Sequence, residues 1–372
     1  MRLKRLWALM ALLAIVVLVV GAGCGDDDDD SGGGGDSGGS GESSGGGEAK
    51  TGMKIALLTP GTGDDGSWGQ AVSEGAKEYG EKYGAEQVEI AENLDTPDQY
   101  EQQATAFAQA GFDLVVLANG SVQQATQRSA QQYPDTLFGE IAVEEGALAD
   151  NISAANGKWQ NGTFLAGIVA AMMTETNKLA TIGGFDFPAL TAEMEGFVLG
   201  ARYVNPDITF QRTYINSWTD TGKARAAAEA QQSRGADIIF SATDQATQGI
   251  FQLAQGGGTL KYVIPQYFNK CDQAPDVVLT SVLYNLQGIV GRFVEMAAED
   301  TWKNEFVELG LDFGVGTLEY CEGTEGDIPD DVKKAVEDAS KKITDGTLVV
   351  PGLDEIGTSG SADDIDPKSL EQ

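Results

Sequence analysis

Between Leu58 and Trp68 the chain reads TPGTGDDGS, a stretch rich in groups able to do chemistry. Asp64 and Asp65 are adjacent carboxylates, and Trp68 adds a flat aromatic ring. Gly61, Gly63 and Gly66 have the G-x-G-x-x-G spacing that elsewhere seats a dinucleotide pyrophosphate at a helix start. Here the two residues before Gly66 are both acidic, and their charge opposes a pyrophosphate. Carboxylates instead suit an uncharged ligand rich in O–H or N–H donors, which they bind in charge-assisted hydrogen bonds. Trp68 would face a sugar ring or a base. The alternative is that Asp64 and Asp65 cap the turn and Trp68 packs on it.

Other loops carry similar groups: Asn119, Gly120 and Ser121; Phe185 and Asp186; Trp218 and Asp220; Thr243 and Asp244; Tyr267 and Asn269. The chain has no histidine, which removes Ser-His-Asp, Cys-His and H-E-x-x-H chemistry. Hydrolysis by a carboxylate pair stays formally open, without a positive sign of it. The reading is of a binding protein, not an enzyme, with no cofactor and no metal called for. A net charge of −33 disfavours nucleic acid and anionic lipid surfaces as partners.

The elements that must position these loops repeat. The first set is strand 54–58, helix 68–83, strand 87–91, helix 98–110 and strand 113–117. Ser67 and Gln70 have capping-box spacing at the start of its first helix. The second set is strand 179–183, helix 189–203, strand 208–215, helix 221–234 and strand 237–241. Glu74-Gly75 in one first helix matches Glu195-Gly196 in the other. Gly111 and Gly235 both stop a helix before an apolar strand, as a C-terminal glycine cap does. Two such β-α-β-α-β units imply two doubly wound parallel sheets with a site between them. Lobe 1 is expected over 53–157, with a crossover helix at about 285–303. Lobe 2 is expected over 158–284, with a C-terminal segment at about 304–352. Further strands are expected at Leu137–Ile141, Lys261–Ile264 and Val277–Leu283, an amphipathic helix at Asp330–Thr344, and an edge strand at Leu348–Val350. Residues 353–372 read as a loose tail.

The N-terminal region reads as an address. Residues 1–23 pair a basic start with an apolar run, the architecture of a secretory signal. Cys24 follows Gly21-Ala22-Gly23 and looks like the lipidated cysteine of a bacterial lipobox, although Gly21 stands where that pattern has Leu. An ordinary signal peptide with an incidental cysteine is the alternative. Residues 24–52 then form an acidic Gly/Ser linker too polar to fold. Its five-Asp run is read as a solvated spacer. Cys271 and Cys321 remain as an even pair in an exported chain and are expected to form a disulfide, two free buried thiols being the alternative.

The segments GDDGSWGQAVSEGAKEYG, GFDLVVLANG, NGTFLAGIVAAMMTETNKLATIGG, EGFVLGARYVNP, SWTDTGKARAAAEAQQSRGADIIF and VVLTSVL resemble the basic membrane protein family. Its members are substrate-binding lipoproteins of ABC importers, related to purine nucleoside receptors. The resemblance implies an α/β chain with the type I periplasmic-binding-protein fold, two doubly wound Rossmann-like lobes joined by a hinge. It implies a small nucleoside-like ligand, an ABC permease with its ATPase as partners, a lipid anchor at the outer face of the cell membrane, and a monomer. A ligand sensor of the same fold, for a sugar or another aromatic or polyol compound, is the alternative. Asp64, Asp65 and Trp68 match the family's acidic pair and stacking aromatic, and Trp218 with Asp220 its second-lobe motif. Two family positions differ. Tyr267 and Asn269 replace two aspartates, and Tyr284 replaces a lysine, so part of the expected ribose-recognition set is missing.

Overall fold

The computed structural model describes residues 49–352 and 361–372. The expected signal peptide, Cys24 and nearly all of the linker lie outside the described residues.

Lobe 1 is built from β1 (Lys54–Leu58), α1 (Trp68–Lys82), β2 (Gln87–Ala91), α2 (Pro97–Gln109), β3 (Leu114–Ala118), α3 (Gln123–Gln132), β4 (Leu137–Ile141) and β5 (Ile152–Gly157). β3 is LVVLA and is buried on both faces, as the centre of a parallel sheet covered by helices requires. Lobe 2 opens with α4 (Trp159–Met173), then runs β6 (Lys178–Gly183), α5 (Pro188–Val204), β7 (Thr209–Tyr214), α6 (Thr221–Ser233), β8 (Ile238–Ala242), α7 (Thr247–Gln255) and β9 (Tyr262–Ile264). β10 (Gln266–Tyr267) and β11 (Thr280–Tyr284) follow. α8 (Leu286–Ala298) and β12 (Phe306–Leu309) return to lobe 1, and β13 (Val315–Tyr320), the single-turn α9 (Glu322–Glu325) and α10 (Asp330–Thr344) end in lobe 2.

The lobe 1 sheet has the order β12-β5-β4-β3-β1-β2, with every pairing parallel. Lobe 2 has β7-β6-β8-β9, also parallel, and a small sheet β10-β11-β13 in which β13 is antiparallel. An isolated bridge, Val263 to Val278, ties the small sheet to β9. Among the described residues the chain therefore crosses between lobes three times: from β5 to α4, from β11 to α8, and from β12 to β13. In each lobe the strand order reverses around the first strand, and ligands of open α/β sheets sit outside the strand carboxyl ends at that point.

The matched Glu-Gly pairs have a shared structural reason. A Cβ on Gly75 of α1 would lie 2.7 Å from the Gln287 backbone of α8, and one on Gly196 of α5 would lie 2.8 Å from the Gln160 carbonyl of α4. In both lobes the glycine lets the first helix touch the helix that arrives by the crossing. Cys271 and Cys321 are joined by a disulfide, linking the turn after β10 to the end of β13.

Several expected boundaries differ. Phe306–Leu309, expected with lobe 2, is the edge strand of the lobe 1 sheet, paired in parallel with β5. β5 and β13 were not legible as strands, because ISAANG and VGTLEY are rich in small or polar residues. The strand expected over Val277–Leu283 begins only at Thr280, and Leu348–Val350 makes a single bridge, Leu348 to Glu371, rather than a strand. The tail is not loose over Ser361–Gln372. Ala362 and Leu370 are buried, Asp363 pairs with Arg202 and Arg212, and Glu371 pairs with Lys342.

Candidate functional site

The loop between β1 and α1 is shaped by Asp65. Its Oδ1 accepts hydrogen bonds from the backbone N–H of Ser67 (2.7 Å) and Gln70 (3.0 Å), and its Oδ2 accepts from Gly69 (3.0 Å). These are free donors of a helix start. Asp65 therefore caps α1, in place of the capping box expected from Ser67, whose side chain makes no cap bond. Burial raises the Asp65 carboxyl, and the three N–H groups offset only part of that. Asp64 is exposed and, among the described residues, accepts only from the Thr62 hydroxyl, at 2.8 Å.

Trp68 is oriented by its indole N–H, which donates to the Ala118 carbonyl at the end of β3 (3.0 Å). Its ring meets Trp159 and Tyr267 edge-on, each at 6.1 Å between centroids. Trp159 meets Tyr284 at 5.1 Å, and Tyr284 meets Tyr267 at 5.7 Å, which closes a circuit of four rings. Trp159 donates its indole N–H to Asn156 Oδ1 at 3.0 Å. Trp68 comes from lobe 1, Trp159 from the first residue of α4, and the two tyrosines from the small sheet.

Charged groups surround the rings. The Tyr284 hydroxyl donates to Glu193 Oε2 (3.3 Å) on α5. Burial pushes the Glu193 carboxyl up to about 8, helped by nearby Asp244 and opposed by Tyr284 and Gln266. Burial also pushes Asp244 up to about 7, against the pull of Lys270 and the Ser67 hydroxyl. Lys270 is 3% exposed, and burial lowers its pKa despite Asp244 and Asp65 nearby. Ser67 Oγ, Asp244 Oδ1 and Gln266 Nε2 are sealed from solvent without a hydrogen-bond partner among the described residues. Asp244 and Tyr267 both hold left-handed backbone, at φ 49° and 76°. Such conformations cost energy and concentrate at functional sites.

Of the sequence-predicted residues, Asp65, Trp68, Asp244 and Tyr267 come together here. Asn119 shapes its own turn, accepting from the Ser121 N–H (2.9 Å) and donating to the Tyr100 hydroxyl (3.3 Å). Asn269 braces the small sheet, donating to Glu319 and accepting from the Cys271 N–H. Trp218 stands with Phe185 (5.2 Å) and Phe187 (6.2 Å) beside the ends of β6 and β7. No ring contact joins this trio to the four-ring circuit among the described residues. Asp220 caps α6 through the Lys223 N–H at 3.0 Å.

Sequence reasoning missed Trp159, Glu193, Gln266 and Lys270. An acid inside the apolar run ALTAEMEGFVLG was a usable signal for Glu193; the others had none. Among the described residues, no group of three or more acidic or sulfur side chains could hold a metal. A surface hollow of about 480 Å3 between α10 and β13 is lined by none of these residues.

Residues 53–354 match the family model described as Bmp, ABC transporter substrate-binding protein PnrA-like. A purine-binding protein of Brucella abortus is 27% identical over 304 residues, which cover 80% of this chain and 82% of that protein. The ABC transporter nucleoside-binding protein BmpA of Lactococcus lactis is 26% identical over 336 residues, covering 82% and 90%. The crystal structure of an ABC transporter solute-binding protein from Aeropyrum pernix superposes with a TM-score of 0.73 at 20% identity, covering 86% of this chain and all of that one.

Proposed function

The chain belongs to the Bmp family of ABC transporter substrate-binding proteins, and on that premise we propose that it captures a small, neutral, nucleoside-like ligand between its two lobes. Proteins of this kind bind small molecules outside the cytoplasm, work with ABC transporter components, and are not enzymes. In our reading the loaded receptor delivers its ligand to a permease driven by a cytoplasmic ATPase. Cys24 carries a lipid that holds the protein at the outer face of the membrane, and the linker tethers the folded part as a monomer. Among the described residues no helix is long and apolar enough to cross a membrane.

The observation that carries the ligand class is the four-ring circuit with partnerless polar atoms from both lobes around it. Rings offer flat contact worth about 0.5–1.5 kcal/mol per pair beyond burial. Asp65 and Asp244 make the surroundings unfavourable to an anion, while Glu193, raised to about 8 by burial, is protonated at neutral pH and can donate. The names of the Brucella and Lactococcus relatives agree with a purine or nucleoside. A thermal-shift panel of nucleosides, nucleobases and sugars tests this. A ligand at 100 times its Kd adds about 2.7 kcal/mol of stability. The reading is overturned if no nucleoside or nucleobase raises the melting temperature.

A further inference from the structure

The crossings between the lobes are not held alike. The third, from β12 to β13, is tied to the first by the Lys158 N–H, which donates to the Leu309 carbonyl at 2.8 Å. That is a backbone bond, which any residue but proline can supply. The second crossing is tied to the third by the ladder between β11 and β13 only as far as Tyr284, paired with Val315. The register slips at Leu283/Tyr284, and Gly316 on the opposite strand is left-handed, at φ 95°. Beyond that slip the tie passes to one side chain. Asn285 Nδ2 donates to the Phe313 carbonyl (2.7 Å), and its Oδ1 accepts from the Gly288 N–H (3.1 Å) in the first turn of α8.

Asn285 holds φ 26° and ψ 44°. The residue before a helix normally holds extended backbone, and left-handed backbone is costly for any residue but glycine, least so for Asn and Asp. The side chain is exposed, so its two bonds, not packing, keep it in place. Such strain persists only where the surroundings over-determine it. The residue also stands at a junction. Tyr284, immediately before it, belongs to the ring circuit. Gln287, two residues later, donates to Glu74 Oε2 at 3.3 Å. Glu74 Oε1 accepts from Gln70 Nε2 (2.7 Å), and Gln70 Oε1 accepts from the Gly66 N–H (3.0 Å). The start of α8 is therefore bonded through α1 to the loop that carries Asp65 and Trp68. The turn at Asn285 fixes the direction in which α8 leaves β11, and with it the approach of Trp68 to Tyr267.

We propose that Asn285 is a positioning residue of the receptor: it clamps the second crossing to the third, sets the angle between the lobes, and so governs closure of the cleft without touching the ligand. The inference rests on the reading of the cleft as the binding site and adds the residue that controls its closing.

Small-angle X-ray scattering of the ligand-free protein, with calorimetric titration of adenosine, guanosine and inosine, tests it on the wild type, Asn285→Asp and Asn285→Gly. The Asp variant keeps the cap on α8 and lacks the donor to Phe313. The Gly variant accepts the left-handed backbone and lacks both bonds; if one variant does not fold, the other decides. Both are expected to have a larger ligand-free radius of gyration than the wild type. Both should weaken every nucleoside that the wild type binds by one common factor, roughly three- to tenfold, because a smaller share of closing-competent molecules scales all affinities alike. A loss of stability alone moves neither readout well below the melting temperature. An unchanged radius or unchanged affinities in both variants overturn the proposal. So does a factor that differs among the nucleosides, which would mean direct contact with the ligand. If the wild type binds none of the nucleosides, the nucleoside-like reading falls and the scattering decides the role of Asn285 by itself.

Discussion

The indole of Trp68, from lobe 1, and the phenol of Tyr267, from lobe 2, meet edge-on with ring centroids 6.1 Å apart. This contact joins the lobes at the cleft. Its two partners are held differently. Trp68 is fixed by its N–H bond to Ala118 (3.0 Å), whereas Tyr267 sits in left-handed backbone at φ 76°. Trp68→Ala removes both a cross-lobe contact and a flat ligand surface. It is expected to weaken ligand binding by about 1–2 kcal/mol, as loss of one or two aromatic contacts does. Titration of the variant with the ligand found by thermal shift checks this, and an unchanged Kd would take Trp68 out of the site.

Asp64 and Asp65 are neighbours with opposite expectations. Asp65 satisfies three backbone donors at the start of α1, and loss of such a cap costs about 0.5–2 kcal/mol. Asp64 is exposed and, among the described residues, bonds only Thr62; a surface change of that kind stays within about 0.5 kcal/mol. Denaturant titration of Asp65→Ala and Asp64→Ala should separate them, and equal effects would refute the capping role.

Glu140 on β4 makes stability depend on pH. It is 1% exposed, neither carboxylate oxygen has a hydrogen-bond partner among the described residues, and burial pushes its pKa from 4.5 up to about 7. The folded state then holds a proton that the unfolded chain releases. Its contribution is fully present below about pH 4.5 and is lost as pH rises through about 7. The loss is on the order of 3 kcal/mol. Glu140→Gln should flatten this part of the profile and raise stability at pH 8. Unfolding free energies of both proteins at pH 5 and pH 8 provide the check, and parallel profiles would contradict it.

The C-terminal segment acts as a clasp on lobe 2. The Ala362 N–H donates to Glu195 Oε2 (2.8 Å), an acid that also pairs with Arg212, and Leu370 is buried. Deleting residues 353–372 is expected to cost roughly 2–4 kcal/mol, mostly from lost apolar burial and the bond to Glu195. The exposed Arg–Asp pairs add little. Ligand affinity should stay the same, because none of the described residues 361–372 contacts the ring circuit. A melting temperature unaffected by the deletion would show that the segment contributes nothing.

The strand and helix alternation was legible in the chain alone. Apolar runs such as KIALL and LVVLA, and glycine stops at Gly111 and Gly235, are local signals. The family resemblance and the loop that begins the site were legible on the same basis. β5, β12 and β13 were not: ISAANG and VGTLEY are rich in small or polar residues, FVEL is only four residues long, and all three become strands through partners far away in sequence. Nor could the sequence divide labour between Asp64 and Asp65, since both types suit a cap and a ligand. That choice depends on which carboxylate reaches the free N–H groups of α1. Trp159, Glu193, Gln266 and Lys270 lie far apart along lobe 2 and come together only where its fold packs them beside Trp68 of lobe 1. Burial of Lys270 near Asp244 is a property of the tertiary fold, and no local pattern of residues encodes it.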